Sequence, residues 1–218
     1  MTVLGGPAFD GPAFDGNVRE VDRAVLLAHG AGADMHAVTL TAFSDALRDA
    51  NIAVMRFNFA YRAAGKGAPP KAPVLMQELR DARVALATRC KLPIDRVVVG
   101  GRSMGGRIAS MVAAEDGALG VVLLAYPLHA PGKPESPRSD HFSQLTMPVM
   151  FVSGTRDSFG TPSELEDHAR KIVGPVQWHW IDTADHGFRP LKKVTGLTTE
   201  QALIPAATAV AQWTAKLK

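Results

Sequence analysis

RVVVGGRSMGGRIAS, residues 96–110, is the stretch on which the interpretation of this sequence rests. It opens with a β-branched apolar run that predicts a buried strand, and apolar residues at helical spacing follow the turn. The turn itself, Gly-Arg-Ser-Met-Gly at residues 101–105, lies in the strand–turn–helix context that a nucleophile elbow requires. Glycines on both sides avoid a clash between Cβ and nearby backbone, and they leave the serine hydroxyl exposed. The stretch therefore predicts Ser103 as a nucleophile, and the alternative is a Gly-rich turn with a buried or capping serine.

Backbone donors for a developing negative charge are predicted at two places. The first predicted strand, residues 24–28, ends in His-Gly-Ala-Gly at residues 29–32, where small residues let backbone N–H groups face a substrate. The helix after the elbow begins with unpaired N–H groups. We therefore predict an oxyanion hole made by the N–H groups of Ala31 and Met104, with Gly32 as the near alternative to Ala31. An ordinary strand-to-helix turn at residues 29–32 is the other interpretation.

An acidic residue follows a later strand. Residues 148–153 predict a buried strand, and Asp157 lies between that strand and a helix that Thr161 and Glu164 would cap. In such a loop a carboxylate can orient an imidazole and stabilise the imidazolium that forms during catalysis. Asp157 is therefore the predicted acid, and Asp182 is the weaker alternative. The other interpretation of Asp157 is a turn residue without a catalytic role.

His186 is the predicted general base. It lies in the loop after the last predicted strand, residues 176–181, and it completes the chain order Ser…Asp…His. His29 precedes the serine in the chain and opens its own turn, so we expect it to brace that loop. The remaining histidines fit less well, because His36, His141 and His168 are expected in surface roles and His179 lies within a strand.

Two long loops are expected to select the substrate. Residues 58–73 are rich in Gly, Pro, Arg and Lys, and residues 126–140 contain four prolines and occupy the position of a cap. The second loop is too short for a large lid domain. We predict substrate contacts from Gly32, Tyr126 and Phe188. Further residues that could line a pocket, if they do not simply lie in solvated loops, are Phe59, Tyr61, Arg62 and His129.

Composition limits the class of protein. The chain has 218 residues, of which 46% are hydrophobic and 21% charged, as is usual for a soluble globular protein. The sequence predicts neither a membrane span nor a secretory signal. The net charge is only +3 and the basic residues are scattered along the chain, so no nucleic-acid partner is predicted. The single cysteine, Cys90, excludes an internal disulfide and fits a cytoplasmic location.

The first 20 residues differ from the rest of the chain. The pentapeptide Gly-Pro-Ala-Phe-Asp occurs at residues 6–10 and again at residues 11–15. Its glycine and proline content predicts an irregular N-terminal arm over residues 1–20, to which we assign no function. Residues 21–218 are long enough for one domain with a full core, and their alternating strand and helix patterns predict an α/β fold.

Four motifs within residues 24–218 together resemble the α/β-hydrolase superfamily. They are His-Gly-Ala-Gly at 29–32, Gly-Arg-Ser-Met-Gly at 101–105, Gly-Thr-Arg-Asp at 154–157 and Asp-His-Gly-Phe at 185–188. The chain looks like the small, nearly lidless branch that includes dienelactone hydrolases, and its Gly-Gly-Arg-Ser-Met-Gly-Gly run resembles the hydrolases named after testis-expressed protein 30. Dienelactone hydrolases carry a cysteine nucleophile, so Ser103 argues against their particular substrate.

This resemblance implies a three-layer fold with a mainly parallel, doubly wound sheet, helices on both faces and a minimal cap. The usual first antiparallel hairpin is expected to be short or absent, because little strand pattern precedes residue 24. The resemblance and the motifs together predict a serine hydrolase of carboxylesterase type. It would act on a small-molecule ester or thioester through Ser103, His186 and Asp157.

No cofactor or metal is predicted, since no His-Glu-x-x-His or Cys-x-x-Cys ligand set occurs in the sequence. Two other classes of function stay open. One is a non-catalytic binding or scaffold module with this fold, and the other is an acyltransferase or peptidase that uses the same three residues.

Overall fold

The computed structural model describes residues 8–10 and 21–218 of the chain. The strands are β1 (Ala8–Asp10), β2 (Ala24–Ala28), β3 (Ala53–Phe57), β4 (Val97–Arg102), β5 (Val121–Leu124), β6 (Val149–Gly154) and β7 (Val176–Ile181). They form one sheet in the order β1-β3-β2-β4-β5-β6-β7. All strands from β2 to β7 pair in parallel, as predicted for a doubly wound sheet.

Helices cover both faces of this sheet. They are α1 (Val38–Asp49), α2 (Ala60–Ala63), α3 (Ala72–Cys90), α4 (Met104–Asp116), α5 (Pro162–Ala169), α6 (Lys192–Thr195) and α7 (Thr199–Ala215). Helices α3, α4 and α5 pack on one face, and α1 and α7 pack on the other. The predicted three-layer fold is confirmed. Across residues 8–10 and 21–218, no helix has both the length and the apolar character needed to cross a membrane.

The central strands are buried on both sides, which explains their unbroken apolar sequences. Leu26 of β2 and Val99 of β4 point into the core under α3 and α4. Their neighbours Leu27 and Val98 point into the core under α1 and α7. Each strand therefore contributes alternate side chains to two separate cores, and a polar residue in either position would be buried without a partner.

The carboxyl ends of the parallel strands meet at one edge of the sheet. Ala28, the last residue of β2, pairs with Gly101 near the end of β4. On the other side, Gly154 at the end of β6 pairs with Ile181 at the end of β7. The loops that follow these strands leave the sheet on the same side, so they are the part of the fold that can build a site.

The strand β1 lies within the predicted N-terminal arm. Residues 8–10 pair antiparallel with residues 54–56 of β3. With three residues, β1 is a short antiparallel element of the kind expected there, and the arm is extended rather than irregular at these residues. The open edge of β3 offers backbone groups to any extended segment, and proline before the first residue of a strand does not prevent pairing. The rest of that prediction, residues 1–7 and 11–20, lies outside the described residues.

Helix α4 crosses the end of β2 so closely that only glycine fits at Gly105. A Cβ placed there would lie 2.3 Å from the carbonyl oxygen of Ala28 and 2.7 Å from that of His29. We expect Gly105→Ala to lower the free energy of unfolding by about 3 kcal/mol, because the helix must move away from the strand. Urea denaturation measures this change. Gly67→Ala is the control, since nothing lies within 4 Å of its Cβ position, and an equal loss in both variants would contradict the prediction.

Candidate active site

Ser103 stands on a strained turn between β4 and α4. Its backbone has φ 51° and ψ −118°, a conformation that costs energy for any residue with a side chain. Two hydrogen bonds hold it there: the Ser103 N–H donates to the carbonyl of Leu124 at 2.8 Å, and the Ser103 carbonyl accepts from the N–H of Arg107 at 3.0 Å. The turn therefore has the geometry of the predicted nucleophile elbow, with the serine at the carboxyl edge of the sheet.

The three residues predicted to act together are in contact. His186 Nε2 lies 2.9 Å from Ser103 Oγ, and His186 Nδ1 lies 2.8 Å from Asp157 Oδ2. The Asp157 side chain is completely buried, whereas the His186 side chain is 19% exposed. An imidazole that donates its Nδ1 proton to the carboxylate has Nε2 free to accept the serine proton. The arrangement can therefore remove a proton from Ser103.

Both oxygens of the Asp157 carboxylate are used within this site. While Oδ2 faces His186, Oδ1 accepts a hydrogen bond from the backbone N–H of Phe159 at 2.8 Å. This second bond fixes the direction in which the carboxylate presents Oδ2. The alternative acid, Asp182, is exposed on the surface.

Asp185, next to the histidine, has a structural role in its own loop. Its Oδ1 accepts hydrogen bonds from the N–H groups of Gly187 and Arg189, and its Oδ2 accepts one from Arg189 Nε. Burial raises the pKa of Asp185, but these bonds outweigh that effect and hold its pKa below the usual value. Asp185 is therefore ionised and shapes the turn that carries His186.

Arg102 is a site residue that the sequence analysis did not assign. Its guanidinium donates from Nη2 to the backbone carbonyl of His186 at 2.9 Å, and thereby links the nucleophile turn to the histidine loop. Burial lowers the pKa of Arg102, and the charges of Asp157 and Asp185 oppose that effect. The only available signal was its place inside the elbow motif, which does not show where a long side chain points.

The loop after β2 lies against the nucleophile. A Cβ on Gly30 would be 3.6 Å from Cβ of Ser103, so the backbone at this point passes directly beside the serine. Ala31 is the next residue, and its carbonyl accepts a hydrogen bond from the Tyr61 hydroxyl at 2.7 Å. Met104 is the first residue of α4, at the positive end of the helix. The assignment of the Ala31 and Met104 N–H groups as oxyanion donors stays a prediction.

His29 braces the loop after β2 through both of its ring nitrogens. Its Nδ1 lies 2.8 Å from the carbonyl oxygen of Gly30, and its Nε2 accepts the N–H of Phe59 at 3.2 Å. Burial lowers the pKa of His29, which keeps the ring neutral and able to accept that bond. The expected bracing role fits these contacts, and they use both ring nitrogens.

Two of the three predicted substrate contacts lie in the core. Tyr126 and Phe188 have no exposed surface, and they pack on opposite faces of the sheet. Their expected contact with substrate is therefore not available in this structure, because neighbouring side chains cover both rings. Gly32 is exposed. Phe59 and Tyr61, expected to line a pocket, are buried as well.

Two other serine–histidine pairs occur but lack the features of a catalytic pair. Ser110 Oγ lies 2.8 Å from His141 Nε2 and donates its own proton to the carbonyl of Arg107. Ser139 Oγ lies 2.7 Å from His168 Nδ1. Both serines are fully buried, so a substrate cannot reach them. His141 is half-buried rather than on the surface as predicted, because its ring contacts Ser110 and packs edge-on against Phe142.

Among the described residues, no group of three or more His, Cys, Asp or Glu side chains could hold a metal ion.

The parallel sheet and the serine on its elbow place this chain in the class of α/β hydrolases. Residues 21–215 match the Abhydrolase_11 family, an alpha/beta hydrolase domain. Because this match covers most of the chain, the protein belongs to that family.

Solved structures share the fold over nearly the whole chain. Est1E from Butyrivibrio proteoclasticus, solved with bound ferulic acid, has a TM-score of 0.74 at 15% identity, covering 97% of this chain and 94% of that protein. A dienelactone hydrolase from Anabaena variabilis has a TM-score of 0.72 at 18% identity, and the match covers 95% of this chain and 89% of that protein. A serine hydrolase without a lid from Xanthomonas campestris has a TM-score of 0.67 at 18% identity, and the match covers 96% of this chain and 87% of that protein. At such low identities the likeness establishes the fold.

The half-buried His141 predicts a loss of stability in acid. Burial, assisted by the charge of Arg107, lowers the pKa of His141 to about 4 from the usual 6.5. The folded state therefore keeps this ring neutral, and its contribution to stability is complete above pH 6.5. As the pH falls from 6.5 towards 4, the unfolded chain gains a proton that the folded chain does not. We expect the free energy of unfolding to fall by up to about 3 kcal/mol through His141 alone.

Urea denaturation at a series of pH values tests this dependence. His141→Gln should lose less stability than the wild type between pH 6.5 and 4, since glutamine does not titrate. His36→Gln, at an exposed position, should keep the wild-type dependence. The same pH dependence in wild type and His141→Gln would contradict the prediction.

Proposed function

We propose that the protein is a serine hydrolase that cleaves a small-molecule carboxylic ester or thioester through Ser103, His186 and Asp157. The observation that carries this proposal is the continuous contact from Ser103 Oγ through the His186 ring to Asp157, at 2.9 and 2.8 Å. A serine hydroxyl is a weak nucleophile unless a base takes its proton, and the buried carboxylate supports that base.

In the acylation step, Ser103 Oγ forms a bond to the carbonyl carbon of the substrate while its proton moves to His186 Nε2. The carbonyl oxygen becomes an anion, which we assign to the N–H groups of Met104 and Ala31. One such donor is worth roughly 10²–10³ in rate. When the tetrahedral intermediate collapses, the bond to the leaving alcohol or thiol breaks and His186 returns the proton to the leaving group.

Deacylation repeats these steps with water. His186 takes a proton from a water molecule as the oxygen attacks the acyl carbon, and it returns the proton to Ser103 Oγ as the acid product leaves. During both halves of the cycle the imidazolium carries a positive charge beside the Asp157 carboxylate. This carboxylate is buried, so its attraction to the imidazolium is screened less than it would be in water.

Two observations favour catalysis over a scaffold with the same fold. Ser103 adopts a strained backbone conformation, and Asp157 is a buried carboxylate held by two directed hydrogen bonds. Both features cost stability, and a module that only binds other proteins gains nothing from them. The dienelactone hydrolase structure that shares the fold is consistent with an ester as the substrate class.

Ser103→Ala should abolish ester turnover without unfolding the protein. We expect the wild type to hydrolyse members of a p-nitrophenyl ester series from acetate to palmitate, and the variant to fall to the background rate. A fluorophosphonate probe should label the wild type and not the variant, because the serine oxygen displaces fluoride from phosphorus. Urea denaturation of both proteins controls for folding. Full activity in Ser103→Ala would refute the assignment, and a folded wild type that resists the probe would favour the scaffold.

Asp157→Asn should lower kcat by about 10⁴-fold, since an amide at this position favours the wrong tautomer of His186. Asp182→Asn is the matched control, because Asp182 follows β7 in the same way but is exposed. We expect this variant to retain the wild-type kcat. Steady-state kinetics on the best ester of the series distinguish the two acids, and an unchanged kcat in Asp157→Asn would show that Asp157 is not the acid.

A further inference from the structure

The ring of Phe159 lies flat against the imidazole of His186. The two ring centroids are 4.0 Å apart and the planes are inclined by only 25°, so the rings overlap face to face. Phe159 is partly exposed, and its ring is therefore not simply filling the core. One face of the imidazole is thus covered by an aromatic surface, while its ring nitrogens point in the plane towards Ser103 and Asp157.

The backbone of Phe159 is fixed at both of its polar groups. Its N–H donates to Asp157 Oδ1 at 2.8 Å, and its carbonyl accepts from the N–H of His129 at 3.0 Å. His129 is itself buried in the loop that follows β5. The segment that positions the acid therefore also places the aromatic ring, and any side chain at position 159 leaves both backbone bonds intact unless it is proline.

The surrounding charges give the aromatic face a chemical role. The Arg102 guanidinium donates to the backbone carbonyl of His186, so protonation of the His186 ring adds a second positive charge to this part of the site. The Asp157 carboxylate offsets the positive charge of the imidazolium from the edge of the ring. The Asp185 carboxylate is already paired with Arg189. The face of an aromatic ring carries negative potential and attracts a cation that stacks on it.

We propose that Phe159 is a positioning residue for His186, whose ring keeps the imidazole in the plane between Ser103 and Asp157 and stabilises the imidazolium by a cation–π interaction. This inference rests on the proposed function, since the imidazolium exists only while His186 carries the proton of Ser103. The benefit arises in the transition state and not in the ground state, so the effect belongs in kcat and not in KM.

The first test compares three variants. Phe159→Leu keeps an apolar side chain but removes the π face, and we expect kcat on the best ester to fall by about 3- to 30-fold with little change in KM. Phe159→Tyr and Phe159→Trp keep a π face and should restore most of the lost rate. A kcat for Phe159→Leu equal to that of the wild type would overturn the proposal, and so would a loss in Leu, Tyr and Trp alike.

A second test isolates the electrostatic contribution without changing the shape of the side chain. Phenylalanines with increasing numbers of ring fluorines, incorporated at position 159, weaken the negative potential of the ring face in steps. We expect the logarithm of kcat to decrease steadily along this series. A kcat that does not change with fluorination would overturn the proposal, because packing alone does not depend on the ring potential. This test also holds if Phe159→Leu fails to fold.

The rate of fluorophosphonate labelling separates this proposal from the proposed function. A wild type that is labelled, together with a labelling rate unchanged along the fluorinated series, overturns only the role of Phe159. A folded wild type that is not labelled at all overturns both. A labelling rate that falls along with kcat supports the role of Phe159, since the probe needs the same proton transfer from Ser103.

Discussion

The close approach of α4 to the end of β2 is the constraint on which the rest of the site depends. Because Gly105 has no Cβ, the first turn of the helix can rest on the carbonyl oxygens of Ala28 and His29. That contact limits how α4 can lie relative to the sheet, and Ser103, in its strained conformation, is the residue that joins β4 to this helix. It also brings the loop after β2 beside the serine. A single van der Waals limit thus positions both the nucleophile and the backbone that faces it.

The order of strands and helices follows from the sequence because each element satisfies local rules. Buried parallel strands require unbroken apolar runs, and the turns between them require glycine or helix-capping residues. The capping box from Thr161 to Glu164 is present at the start of α5 as predicted. The positions of Ser103, Asp157 and His186 at strand ends followed from the same reasoning. Their mutual distances needed the structure, since strand order and register determine which ends are neighbours.

What could not be predicted depends on long side chains and on contacts distant in sequence. The direction of the Arg102 side chain and the stacking of Phe159 on His186 are set by packing between loops. Tyr126 and Phe188 lie in loops that the sequence places near the site, yet both rings turn into the cores because burial gains more than exposure. The position and partner of β1 could not be predicted because pairing with an open edge uses backbone groups, which sequence patterns of side chains do not report.

The wide separation of the reacting groups along the chain has a consequence for how the protein is made. The serine and its base are 83 residues apart, and the base and the acid are 29 residues apart. During synthesis the elbow cannot gain its hydrogen bond from Ser103 to Leu124 until β5 has emerged, and the imidazole of His186 follows only after β7 has been made. A chain that ends before residue 186 therefore contains the serine without its base, and its Ser103 carries an ordinary serine hydroxyl.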